Sequence, residues 1–195
     1  DLFAKLLDQP PGFFADHRLK KIPASGGTPQ TICEAQDGRG ASWSARGIIV
    51  FAPQPLGGLE SVPDTGGTPT PVTKPNADGG SHRFPQFLPD GRHLLFLSFK
   101  DVGGKEDGIS SLDLQTNEVK LVARERSAGI YTESGYLVFV RKTMLMAQRF
   151  DLETLQTRGE AVPIAEDVQF NLSRGAGNYA VSSTGLLLYQ AGSVG

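Results

Sequence analysis

Cysteine is nearly absent: Cys33 is the only one, so the chain can form no intrachain disulfide. Thr31-Ile32-Cys33 is strand-like and has no basic neighbours, so the thiol is expected to be buried and inert. Long apolar runs are missing too, and none approaches the ~20 residues that a membrane-spanning helix needs. No block of one charge sign stands out. Nineteen Lys and Arg against 21 Asp and Glu leave a formal net charge of −2. Nucleic-acid binding is thereby disfavoured, because phosphate neutralisation needs clustered cations. No charged-then-apolar leader opens the sequence as given, so it encodes no secretion signal.

What the chain has in quantity is turn formers, with 24 glycines and 13 prolines among 195 residues. With a modest apolar fraction of 38%, that mixture suits an all-β protein with many turns. The turns recur in a pattern. Four times an aromatic residue or Val is followed by three turn residues, a glycine and an apolar run: Trp43 to Gly47, Phe87 to Gly91, Tyr131 to Gly135 and Val181 to Gly185. The glycines are 44, 44 and 50 residues apart. A period in the forties made only of strand-like pieces marks β-propeller blades.

Each repeat divides into four strands, a to d from the inside outward. Strand a is expected at 41–43, 83–87, 129–131 and 178–181. Strand b follows the glycine as a continuous apolar run at 48–51, 94–97, 136–140 and 186–189, and unbroken hydrophobicity implies burial on both faces. Strand c is expected at 19–24, 59–64, 109–114 and 145–151, and strand d at 28–32, 68–72, 117–122 and 160–165. Gly26-Gly27, Gly66-Gly67 and Asn117 supply the positive φ that tight c–d hairpins require. Pro69 and Pro71 place their strand at an edge.

The expected fold is therefore an all-β propeller of four-stranded antiparallel blades, with about four blades present. The segments are a partial blade at 12–36, blades at 37–77, 78–124 and 125–166, and a partial blade at 167–195. Either the last a–b pair joins the first c–d pair in a four-bladed ring, or the chain is a segment of a larger propeller. In the second case its open edges invite a homo-oligomer. Residues 1–11 fall outside the repeat and read as an irregular or short helical leader that ends at Pro10-Pro11.

The ordered run LKKIPASGGTPQTI, GRGASWSARGIIVFAP, HRFPQFLPDGRHLLFLS and GYLVFVRKTMLMAQRFD resembles TolB-type, WD-repeat-like propellers. It is most similar to those forming C-terminal sensor regions of bacterial serine/threonine kinases. The likeness covers roughly residues 13 to 192 and includes the turn Pro89-Asp90-Gly91. It implies a binding or sensing module for a protein, peptide or small ligand, in a periplasmic or extracellular setting. It supplies no catalytic residues.

Kinase motifs are absent, since His82-Arg83-Phe84 lacks the catalytic aspartate. Gly175-Ala-Gly177-Asn-Tyr-Ala180 matches a dinucleotide fingerprint in form, yet no helix or acidic partner follows, so it reads as a loop. One constellation carries chemistry. Every d-to-a connection holds an acid: Asp37, Asp78, Glu125, then Glu166-Asp167. These connections converge at one end of a propeller channel, where Asp37, Asp78, Glu125 and Asp167 would be oxygen ligands for Ca²⁺. Some propeller lactonases hold such a calcium to polarise an ester carbonyl. A calcium-dependent hydrolase of that kind, with His82 as general base, is the alternative to a binding module. Arg39 and Arg83, at the same rim, are candidates to read an anionic ligand.

Overall fold

The computed structural model describes residues 17–75, 79–100, 107–182 and 184–192. The expected leader at 1–11 and Asp78 lie outside the described residues. Among the described residues the protein is all β, with no helix.

The described residues begin with an antiparallel pair, β1 (Arg18–Lys21) and β2 (Gln30–Glu34). A four-stranded sheet follows, made of β3 (Ala41–Trp43), β4 (Ile48–Phe51), β5 (Glu60–Pro63) and β6 (Thr70–Pro71). The next contains β7 (Ser81–Phe87), β8 (His93–Phe99), β9 (Gly108–Asp113) and β10 (Val119–Ala123). The third contains β11 (Gly129–Thr132), β12 (Tyr136–Arg141), β13 (Met144–Asp151) and β14 (Gln156–Ala165). Two short hairpins follow as the last elements among the described residues: β15 (Phe170–Asn171) with β16 (Ala176–Gly177), and β17 (Tyr179–Val181) with β18 (Leu187–Tyr189). In all three four-stranded sheets the strands pair in sequence order and antiparallel, as blades do.

Packing explains why the second strand of each blade is apolar without interruption. On β4, Ile49 and Phe51 face the β1–β2 pair, where they meet Leu19 and Ile32. Val50 and Ala52 face the next blade and meet Leu94 and Phe96 of β8. Leu95 points the other way, into a cluster with Leu137 and Phe139 of β12. Val138 and Val140 in turn pack with Val168 and Tyr179 on the last sector. Alternate side chains thus go to opposite neighbours, and both neighbours are dry. Val50, Leu94, Leu95, Leu97, Leu137 and Phe139 are each fully buried. Each such side chain contributes on the order of 1.5–3 kcal/mol.

The repeated glycine closes the turn that delivers this strand. Gly47, Gly91, Gly135 and Gly185 all have positive φ, between 62° and 84°. Their amides donate to the carbonyls of Ser44, Leu88, Thr132 and Ser182 at 2.9–3.1 Å. A side-chain oxygen tightens the same turn. Ser44, Thr132 and Ser182 accept the amides of Ile48, Tyr136 and Leu186, and the Asp90 carboxylate accepts those of Arg92 and His93. A non-glycine residue would be strained at each glycine.

The β1–β2 and β17–β18 pairs remain separate two-stranded sheets, so the first of the two expected closures is not adopted. Cys33 is buried, and desolvation first, then Glu60 and Glu34, push its thiol up to about 11, which fits an inert group.

Candidate functional site

The strand connections sort to two ends of the inner strands. At one end the a–b turns meet the c–d turns: Asp64 N–H donates to Gly47 O and Phe150 N–H to Gly135 O. At the other end the d–a connections meet the b–c connections. Gly57 bridges to Ser81, Val168 N–H donates to Thr143 O, and Arg126 donates to Lys100 O at 2.8 Å. Asp37, Arg39, His82, Arg83, Glu125 and Asp167 all belong to this second end.

The acids there are bound to cations within their own loops. Asp37 accepts two hydrogen bonds from the Arg39 guanidinium, at 2.5 and 2.9 Å, and these bonds hold its carboxyl below the usual range. Glu125 Oε1 accepts from Arg141 at 2.6 and 3.0 Å. Asp167 is exposed at a positive-φ position, next to exposed Glu166. Among the described residues, no three His, Cys, Asp or Glu side chains form a group that could hold a metal ion. The calcium set expected from sequence is therefore not assembled by Asp37, Glu125 and Asp167.

His82 faces inward. It is buried, its Nδ1 lies 2.7 Å from Thr73 Oγ1, and its ring packs 4.7 Å from that of Phe96. Burial lowers its pKa to about 4, so it is neutral at pH 7. Its contacts bind the start of β7 to the loop before it.

Arg83 is buried as well, and it organises this end. Nε donates to Ser81 Oγ at 2.6 Å, and Nη1 donates to the carbonyls of Ser173 and Arg174 at 3.0 and 3.1 Å. Its guanidinium stacks 4.2 Å from the Phe99 ring centre, and Arg126 lies 5.2 Å from the same ring. The residues held by Arg83 form the tip of the β15–β16 hairpin. That hairpin leaves the third blade and crosses to the inner strand of the second. Gly175 at its tip is seated where a Cβ would lie 2.4 Å from Leu97 Cδ2, with φ of 72°. Its carbonyl accepts Ala128 N–H at 2.8 Å. The hairpin accounts for the longer final interval between repeat glycines, 50 residues against 44. Residues 175–180 run through β16 into β17, so the glycine motif lies mostly in strands rather than in the loop expected for it. A cleft of about 260 Å³, lined by Lys21, Pro23, Gln30 and Trp43, lies away from this end, beside the first strand pair.

Blades in series around inner strands, capped at one end by a cross-blade hairpin, make a partial β-propeller. No protein-family model matches the chain, and no curated protein matches it in sequence. Solved structures do match in fold. TolB from Acinetobacter baumannii is similar over 88% of this chain and 42% of its own, at 18% identity and a TM-score of 0.61. A calcium-binding protein, regucalcin, from Agrobacterium tumefaciens is similar over 90% of this chain and 60% of its own, at 12% identity and a TM-score of 0.64. A chain of the nidogen/laminin complex is similar over 80% and 63%, at 14% identity and a TM-score of 0.56. The fold is TolB-like, and the chain spans between two-fifths and two-thirds of each of these neighbours' length.

Proposed function

We propose that the protein is a binding module that holds a protein or peptide against the end of the propeller where the β15–β16 hairpin lies. The observation that carries this reading is the hairpin itself. It occupies the ends of the inner strands and is fixed by Arg83 and Gly175, so a ligand arriving there meets a surface. That surface presents exposed Leu172 and Arg174, the Arg39–Asp37 pair and the Arg141–Glu125 pair. An apolar residue among charged pairs suits a partner of protein character. The nidogen/laminin neighbour, whose structure is of a protein complex, supports the same reading by analogy of fold alone.

Hydrolysis with His82 as base has less support. Its imidazole is engaged by Thr73 and covered by Phe96. The two readings separate in one experiment. A photo-crosslinking residue replaces Leu172 or Arg174, with Glu133, in the turn at the opposite end, as control. Discrete adducts to a protein from position 172 or 174 and none from 133 support the module. Equal labelling from both ends contradicts it. Saturable calcium binding that is lost in Asp37→Asn favours the hydrolase.

A further inference from the structure

The inner strand of the second blade holds one residue more than its ladder uses. In β7 Arg83 pairs with Leu97 and Gln86 with Leu95, so Phe84 and Pro85 together oppose Phe96. Phe84 absorbs the surplus at a φ of 52°, a left-handed backbone that is strained for a bulky side chain. Among the described residues it is the only non-glycine at positive φ inside a strand. His17, Asn117, Lys142, Leu155 and Asp167 all lie outside strands. The neighbouring blade makes room for it: a Cβ on Gly40 would lie 2.9 Å from Phe84 Cα. Phe84 N–H donates to Arg39 O at 2.7 Å.

The ring does not serve the core. It is half-buried and belongs to none of the four apolar clusters among the described residues. Nor does the extra residue aim its neighbours. With Phe84 removed, Pro85 alone would oppose Phe96, and Arg83 and Gln86 would keep the pairs they have. Backbone strain of this kind gathers where a ligand is met. Two further apolar side chains belong to this end of the blades. Leu56 and Leu172 are 63% and 62% exposed, and each adjoins a carbonyl, of Pro55 or Ser173, that accepts from the Arg83 guanidinium. The charge next to Phe84 is already matched, since Arg39 is bonded to both carboxylate oxygens of Asp37. Such a patch offers contact to an apolar group in preference to a charged one.

We propose, resting on the reading that this end binds a protein or peptide, that Phe84 is the anchor of that site. The bulge holds its ring out of the core for a large apolar side chain of the partner, and Leu56 and Leu172 complete the apolar patch. The occupant is a peptide segment that presents a leucine, methionine or aromatic residue, because an aromatic ring accepts aliphatic and aromatic groups alike.

The probe is a phage-displayed library of random peptides selected on the 195-residue chain, with the enriched peptides then synthesised and titrated. Peptides sharing a large apolar residue are expected. They should bind Phe84→Gly about tenfold or more weakly, and Phe84→Tyr and Glu133→Ala, the latter at the opposite end, as they bind wild type. Glycine adopts the 52° φ without strain, so Phe84→Gly is expected to unfold at a urea concentration no lower than wild type although it binds worse. A urea midpoint below that of wild type assigns the ring to packing and overturns the proposal. So does a library that yields no binder. Peptides weakened by Leu172→Ser but indifferent to Phe84→Gly leave the hairpin end as the binding site and overturn the anchor alone. Peptides indifferent to both variants contradict the binding end as well.

Discussion

The Gln86 side chain is hydrogen-bonded to both backbone polar groups of Tyr131: Nε2 donates to the carbonyl at 3.2 Å, and Oε1 accepts the amide N–H at 2.7 Å. Ser42, 44 residues earlier, accepts the amide N–H of Phe87 at 2.9 Å, and Phe87 is likewise 44 residues before Tyr131. The inner strands of the first and second blades therefore each clasp that of the next blade through the same repeat position. Blade order is fixed at the channel by polar contacts and farther out by the buried apolar layers.

Gln86→Leu removes two bonds and leaves a half-buried amide and carbonyl without their partner. The expected loss is about 1–3 kcal/mol in a urea unfolding titration, with Ser42→Ala at the low end of that range. Equal stability of Gln86→Leu and wild type would remove the clasp from the account.

The hairpin at 170–177 depends on Arg83 and on the space at Gly175. Gly175→Val forces a Cβ into Leu97 and strains a positive-φ position, so the tip lifts while the blades persist. Trypsin is expected to cut after Arg174 about tenfold faster or more, which corresponds to ~1.4 kcal/mol of local opening. Arg83→Met should act in the same direction. An unchanged cleavage rate in both variants would contradict the seating.

His82 sets a pH dependence. Its folded pKa, about 4, lies below the unfolded value of 6.5. Between those values the unfolded chain binds the proton and the folded one does not, so stability rises with pH across that window. The contribution is fully present above pH 6.5 and falls away as pH drops towards 4, by up to about 3 kcal/mol. Urea midpoints at pH 7 and pH 4.5 should converge in His82→Gln relative to wild type. An NMR titration of the ring should show a midpoint near 4, and a midpoint at its ordinary value would contradict the burial.

Calcium is expected to leave the melting temperature unchanged, because Asp37 and Glu125 are already neutralised by Arg39 and Arg141. A shift that grows with calcium concentration and vanishes in Asp37→Asn would reverse this.

The blades were legible in sequence because one physical demand writes them. A strand packed between two neighbours must be apolar at every position, as Ile48–Phe51, Leu94–Leu97 and Tyr136–Val140 are, and its turn needs positive φ at a fixed place. The hairpin was not legible. Its strands are two residues long, and its anchor, Arg83, is held by backbone carbonyls about 90 residues away, which leave no side-chain signature. The longer final glycine interval was its one trace. The acids illustrate the reverse case: in sequence Asp37 reads as a calcium ligand and Arg39 as the reader of an anionic ligand, and in the structure the two side chains, two residues apart, bind each other.

Amide hydrogen exchange, resolved by residue on dilute protein, tests the stacked-sector architecture most directly. The slowest amides are expected in the sandwiched second strands, at 49–51, 94–97 and 137–140, with the outer strand β6 and the exposed strand β18 exchanging far faster. Uniform protection across all strands, or fast exchange at 94–97, would contradict it.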